Sequence, residues 1–295
     1  MPDLATPAGT VQALRAYGIR PRRGLGQHFL VSRITLHRIL DAAALTPHDG
    51  ILEIGAGIGT LTAALAPRVD AVLALELDRT LLPALRRSVE PFANVRIETG
   101  DVMRLDLAAL VAPLPSPRKV VSNLPYNIAS PLIVTLLEAR LGLTRLVVTV
   151  QREVAHRLAA LPGTKEYGAL SVAVQYRAAA RVVARVPPGA FFPPPDVESA
   201  VVVLEPRAAP PVEVGDDGAF FRVVRAAFAQ RRKTLRNTLA AGLALPPDVV
   251  ETACRTAGLD PGRRGETLDL AAFAALTRAL EAGGGKGLRS REQRR

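Results

Sequence analysis

The sequence predicts an α/β fold: an open, mostly parallel sheet of seven strands with helices on both faces, followed by a small all-α domain. Three observations carry this expectation. Five short apolar runs between residues 50 and 150 alternate with stretches of helical spacing, the rhythm of strand–helix–strand crossovers. The ends of the first three runs carry glycines or carboxylates, the place where open sheets of this kind bind ligands. From residue 219 to 282 the pattern turns wholly helical.

Residues 1–23 are loose in pattern and end in the basic cluster Arg20-Pro21-Arg22-Arg23. Apolar spacing over about 32–45 (Ile34, Ile39, Leu40, Ala43, Ala44) predicts a helix. Gly50-Ile-Leu-Glu-Ile-Gly reads as the first strand, and Thr60 to Leu65 opens a helix. Ala71-Val-Leu-Ala-Leu-Glu is the second strand, with a helix through Leu81, Leu82 and Leu85. Val95-Arg-Ile-Glu, Lys119-Val-Val-Ser and Leu146-Val-Val-Thr-Val are the third, fourth and fifth. After a helix near 151–160, two β-rich stretches, 170–186 and 199–204, flank a Pro-rich loop at 187–195 and are expected to close the sheet as an antiparallel hairpin. Consecutive prolines in 206–211 deny backbone donors and mark a linker. The tail 283–295, glycine-rich and then basic, is expected to be disordered.

The chain has 295 residues, enough for two domains with separate cores. A formal charge of +11 favours an anionic partner, nucleic acid before an acidic membrane surface. A lone cysteine, Cys254, excludes an internal disulfide and a Cys-based zinc site; its apolar neighbours predict a buried, inert thiol. The four histidines show no metal-ligand spacing. No run approaches the roughly 20 apolar residues of a membrane span, so a cytosolic protein without a membrane partner is expected.

Gly55-Ala-Gly57-Ile-Gly59-Thr60 joins the first strand to a helix. Glycines there let the backbone approach a ligand, and the helix start offers free N–H groups. A nicotinamide fingerprint would need glycine where Thr60 stands, which weakens that reading and leaves a nucleoside pocket. The next two strands end in Glu76 and Asp101. A carboxylate after the second strand can accept from both ribose hydroxyls, and one after the third from an adenine amine.

The fourth strand runs into Asn123-Leu124-Pro125-Tyr126, which sets an amide, a restricted backbone and an aromatic ring beside that pocket. This tetrapeptide is similar to the motif of adenine-N6 methyltransferases. The surrounding chain resembles the ribosomal RNA adenine dimethyltransferase family, in particular its bacterial small-subunit branch. The resemblance rests on Gly24-Leu-Gly-Gln-His-Phe-Leu30, Glu53-Ile-Gly-Ala-Gly-Ile-Gly59, Asn123-Leu-Pro-Tyr-Asn-Ile-Ala-Ser-Pro-Leu132, Gln151-Arg-Glu-Val-Ala-His-Arg157, Phe191-Phe-Pro-Pro-Pro-Asp-Val-Glu-Ser199 and Gln230-Arg-Arg-Lys-Thr-Leu-Arg-Asn-Thr-Leu239.

The resemblance implies a Rossmann-like class I methyltransferase domain over 24–206 and a helical RNA-binding domain over 212–282. It implies S-adenosylmethionine as methyl donor, and as partner the 16S ribosomal RNA of the small subunit or its precursor, bound by a monomer. His28, Leu30 and Gly57 would lie at the cofactor, Gly55 on its methionine side, Glu76 at its ribose and Asp101 at its adenine. Asn123 would stand where cofactor and target base meet. Its side-chain oxygen and the Leu124 carbonyl would accept the amine's N–H bonds, with Pro125 fixing that carbonyl. Tyr126 would stack on the base, with Phe191 as a second aromatic wall held by the prolines after it; Phe192 is expected to pack.

If 221–239 formed one helix, Arg222, Arg225, Arg232, Lys233 and Arg236 would share an arc of about 100°. With Arg20, Arg22, Arg23 and the tail, this stripe is expected to hold RNA. Large-subunit adenine methyltransferases of the macrolide-resistance type share these motifs, but they often carry a Lys-Trp pair late in the chain, and this sequence has no Trp. A non-catalytic assembly factor on the same fold is a further alternative.

Overall fold

The computed structural model describes residues 2–283, apart from the side chain of Arg23. Nine strands are described: β1 (Phe29–Leu30), β2 (Gly50–Ile54), β3 (Ala71–Glu76), β4 (Val95–Thr99), β5 (Arg118–Asn123), β6 (Leu143–Gln151), β7 (Ala178–Val186), β8 (Phe191–Phe192) and β9 (Ser199–Pro206). Seven form one sheet in the order β4-β3-β2-β5-β6-β9-β7. The first five in that order are parallel, whereas β9 runs antiparallel to β6 and to β7. Helices Thr60–Leu65, Leu82–Val89, Leu107–Val111 and Ala129–Glu138 make the crossovers between successive parallel strands. The expected seven-stranded α/β sheet with its closing hairpin is therefore present.

The central strands read as largely apolar runs because both faces are covered, whereas the edge strands β4 and β7 carry exposed arginines. Adjacent residues such as Ile51 and Leu52, Val120 and Val121, and Ala200 through Leu204 are all fully buried. On one face, Ile39, Leu40 and Ala43 of helix Arg33–Ala43 join Leu61 and Leu65 against Ile51, Val72, Val121, Val147 and Val201. The sheet order reverses between β2 and β5, so the loops leaving these two strands flank a crevice at the carboxyl edge. A separate two-stranded ribbon pairs Phe29 with Phe192 and Leu30 with Phe191.

The chain divides into two compact units. One contains the residues up to His156 together with Ala178–Pro206; the other contains Arg157–Arg177 and the residues from Arg207 onward. Of the expected boundaries, 24–206 and 212–282, the end at 206 coincides with this division, while the N-terminal segment falls in the first unit and Arg157–Arg177 in the second. Residues 1–23 do not stand apart as a loose segment. Thr6 caps helix Pro7–Ala16, accepting from the Gly9 N–H, and Leu14, Ala13 and Ile19 join Phe29, Ile58 and Leu81 in a buried cluster. The stretch 170–186 is not all strand, because Ala169–Gln175 is a helix. The Ser171 hydroxyl accepts from the Gly168 N–H and donates to the Arg157 carbonyl, which starts that helix.

In the second unit, Tyr167, Val172 and Tyr176 pack with Phe220, Val224, Leu235, Cys254 and Phe273. Tyr176 stacks on Phe220 at 5.1 Å and donates to Asp217 at 2.7 Å. Cys254 is fully buried and burial raises its thiol to about 11, which makes it inert. Residues 221–239 are not one helix: Asp217–Phe228 ends, a turn follows, and Leu235–Leu243 begins with the Leu235 N–H on the Arg263 carbonyl. Between Phe228 and Leu235 the one apolar residue is the small, exposed Ala229, so a helix there would have almost no face to bury. The tail beyond Gly283 lies outside the described residues.

At the edge of the sheet opposite the crevice, Lys119 Nζ meets Asp49 Oδ2 at 2.6 Å, with Asp49 fully buried, and also donates to the Ala44 carbonyl. Removing one partner strands the other charge without water. Lys119→Ala is expected to lower unfolding free energy by about 3–5 kcal/mol in urea titrations, while Lys119→Met with Asp49→Leu recovers most of the loss.

Candidate active site

Loops from five strand ends line one cleft at the carboxyl edge of the sheet. The turn after β2 brings Gly55 and Gly57, both at positive φ (76° and 61°). A Cβ on Gly55 would stand 3.3 Å from the Pro125 ring, and one on Gly57 would stand 3.3 Å from the Phe29 ring. Glycine is thus required both for the turn and for the close approach of neighbouring loops.

Glu76, at the end of β3, is buried and accepts from the Gly57 N–H at 2.7 Å and the Asp78 N–H at 2.8 Å. Its carboxylate ties two strand-end turns together and keeps further lone pairs for a ligand. Burial raises its pKa, against the pull of those two N–H groups. Asp101, after β4, accepts from the Met103 N–H at 3.0 Å and faces Arg104 at 3.3 Å, so it lies nearer solvent.

The 24–30 segment closes one side. Gln27 donates to Asp78 at 2.8 Å and accepts from the Arg22 N–H, while the Arg22 guanidinium reaches Asp78 at 3.5 Å. His28 and Leu30 line the cleft, although Leu30 is also a buried member of the sheet core. His28 Nδ1 meets the Pro193 carbonyl at 2.8 Å, a contact that requires the ring proton on Nδ1.

After β5, the Leu124 N–H donates to the Thr149 carbonyl at 3.1 Å, which fixes the start of the loop. Asn123 Nδ2 donates to the His28 carbonyl at 3.0 Å. That bond orients the amide, and Asn123 Oδ1 is left buried with no partner among the described residues. Tyr126 stacks on His28 with ring centres 5.4 Å apart and hydrogen-bonds Ser199 through its hydroxyl. Burial raises the Tyr126 pKa, so it stays a neutral phenol.

The structure thus brings His28, Leu30, Gly55, Gly57 and Glu76 into the same cleft as Asp101 and the 123–126 loop. Phe191 is the exception and a correction. Only 3% exposed, it lies in the sheet core with Val186, Ala190 and Leu30, and does not form an aromatic wall of the cleft. The prolines that follow fix the chain's direction, but strand pairing with Leu30 turns this ring inward. The basic residues are scattered in role. Arg225, Arg232 and Lys233 are exposed, whereas Arg222 lies 3.9 Å from Asp216 and Arg236 pairs with Glu251 at 3.2 Å.

Among the lining residues not singled out as site residues from the sequence are Glu53, Leu77 and Val102. Leu77 and Val102 each follow a strand-end carboxylate, which is the signal that could have found them; Leu77 is 52% exposed. Glu53, inside β2, is fully buried, and its Oε2 has no partner among the described residues. Burial first, then the Glu76 charge, pushes its pKa up to about 8. Two buried acids, orphaned oxygens on Glu53 and Asn123, and apolar Leu77 and Val102 suit a nucleoside with a cationic side chain. Among the described residues no cluster of His, Cys, Asp or Glu could hold a metal ion, and no helix is long and apolar enough to cross a membrane.

Because Glu53 keeps its proton to about 8 when folded but titrates near 4.5 otherwise, the folded chain binds more protons between those values. Stability therefore falls as pH rises through this window, and Glu76, whose pKa is also raised by burial, acts in the same direction. Glu53→Gln is expected to flatten that fall when urea midpoints are compared between about pH 5 and about pH 8.

Comparisons with known proteins accord with this geometry. Residues 19–277 match the family model described as ribosomal RNA adenine dimethylase. The chain is 48% identical to ribosomal RNA small subunit methyltransferase A of Geobacillus kaustophilus, covering 94% of this chain and 97% of that protein. It is 47% identical to the protein of that name from Pelotomaculum thermopropionicum, covering 95% and 99%. Among solved structures, a dimethyladenosine transferase from Plasmodium falciparum superposes with a TM-score of 0.71 at 25% identity, over 86% of this chain and 98% of that one. The 23S rRNA methyltransferase ErmE gives 0.65 at 27%, over 85% and 99%. With a glycine turn, two strand-end acids and an oriented Asn123 in one cleft, this chain belongs to the ribosomal RNA adenine dimethylase family.

Proposed function

We infer that the chain transfers methyl groups from S-adenosylmethionine to the N6 amines of two adjacent adenines near the 3′ end of 16S ribosomal RNA. The products are N6,N6-dimethyladenosines, made in the cytosol by a monomer acting on the assembling small subunit. One observation carries the chemistry: Asn123 Oδ1 is buried, oriented and without a partner beside the cleft. A buried acceptor left open this way is expensive unless a ligand donor fills it.

When bound, the cofactor supplies an electrophilic methyl group on a cationic sulfur. Glu76 takes the ribose hydroxyls, Asp101 the cofactor's adenine amine, and Leu77 and Val102 the faces of that ring. His28, Leu30, Gly55 and Gly57 enclose the rest. Asn123 Oδ1 and the Leu124 carbonyl accept the two N6–H bonds of the target base, directing the nitrogen lone pair toward the methyl. They also stabilise the positive charge that develops there. Pro125 holds that carbonyl's direction, and Tyr126 offers a face for the extruded base. Alignment rather than a strong base does the work, because the alkylated amine sheds its proton readily.

Relatives named for the small subunit favour 16S RNA over the large-subunit target of the macrolide-resistance enzymes. On the helical unit, exposed Arg225, Arg232 and Lys233 are the residues that support backbone contact. Arg222 and Arg236 are engaged by Asp216 and Glu251 and contribute less.

Incubating the protein with labelled S-adenosylmethionine and undermethylated small subunits should place label in N6,N6-dimethyladenosine near the RNA's 3′ end. Label on large-subunit RNA alone would overturn this assignment. Asn123→Ala is expected to lower kcat by roughly 100-fold or more while equilibrium dialysis shows cofactor binding retained. Lys233→Ala should weaken RNA binding and reduce the slope of log K against log salt by about one unit.

A further inference from the structure

We infer that Ser199 is a positioning residue for methyl transfer, holding the Tyr126 ring in the orientation that receives the target base. This rests on the reading of Tyr126 as that base's platform.

Ser199 opens β9, and Ala200, Val201, Val202, Val203 and Leu204 after it are all apolar and fully buried. A hydroxyl at the head of such a strand needs a partner, since an unpaired buried hydroxyl is destabilising. Its partner is the Tyr126 hydroxyl. Tyr126 lies half-buried at the cleft with one ring face against His28, 5.4 Å away and inclined by 25°. His28 is itself held through Nδ1 by the Pro193 carbonyl. One segment, from Pro193 to Ser199, therefore grips both stacked rings, one at a ring nitrogen and the other at the phenol tip. A tyrosine ring has two side-chain torsions. Contact at its face and anchorage at its tip restrain both, so the ring is set before a base arrives. The His28 carbonyl also receives the Asn123 amide, so the ring stack and the catalytic amide share one support.

The experiment is single-turnover methylation of undermethylated small subunits by wild type, Ser199→Ala, Ser199→Thr, Tyr126→Phe and the double variant, with thermal unfolding recorded for each. Ser199→Ala is expected to lower the chemical rate about 5- to 10-fold while KM for S-adenosylmethionine stays within about twofold. Ser199→Thr, which keeps the hydroxyl, restores most of that rate. Tyr126→Phe removes the same bond from the other side, so the double variant should be no slower than the slower single one. The inference is overturned if Ser199→Ala matches wild type, or if it slows Tyr126→Phe by its full factor again. It is equally overturned if Ser199→Thr is as slow as Ser199→Ala. Should Ser199→Ala unfold, Tyr126→Phe carries the test: a wild-type rate there refutes the inference. A wild type that puts no methyl on adenine of ribosomal RNA defeats the functional reading itself, and the inference with it. Failure of the variants alone leaves that reading standing.

Discussion

Backbone at Gly55 passes so close to Pro125 that even one added carbon would press on the proline ring. Around this contact the loops after β2 and β5, on either side of the sheet's reversal, meet across the crevice. Everything else in the cleft is referred to it. Glu76 binds the β3 turn to the β2 turn through the Gly57 N–H, and the Thr149 carbonyl holds the β5 loop from the opposite side. Asn123 then hooks the 24–30 segment by its carbonyl, so residues far apart in sequence are indexed to one backbone crossing. A side chain at position 55 would displace the proline that directs the Leu124 carbonyl.

The cleft sets stability against function. The sheet beneath is apolar and filled, yet Glu53 and Asn123 each leave a buried oxygen unanswered. Such groups are destabilising in the free protein and become useful only when a ligand supplies donors or charge. At the other edge, buried Lys119 pairs with Asp49 Oδ2, while Asp49 Oδ1 also lacks a partner among the described residues.

The central parallel strands were legible in sequence because both faces are buried, which writes them as largely apolar runs, whereas the edge strand β4 alternates. The strand-end acids and the 123–126 loop were legible because their spacing follows that rhythm. What stayed hidden was set by packing. Ala169–Gln175 alternates like a strand, yet Ser171 caps it into a helix of the second unit. Phe191 and Phe192 are adjacent and chemically alike, so only pairing with β1 decides which ring turns inward. Glu53 looked like part of a glycine motif, and only its burial reveals an acid that stays protonated. The single helix expected over 221–239 failed for a different reason. Charged residues over 229–234 obey helical spacing on paper, but nothing among them can be buried to hold a helix together.

The division of the chain also bears on modularity. The backbone passes between the two compact units at 156/157, at 177/178 and at 206/207, three times in all. A helical unit that keeps Tyr167, Val172 and Tyr176 in its core cannot be excised at a single peptide bond. A fragment beginning in the proline-rich 206–211 stretch would expose the faces of Phe220 and Val224 that those residues cover. Exchanging such units between related enzymes therefore requires moving two separate pieces of sequence together, and shuffling by one crossover yields chains with half a core.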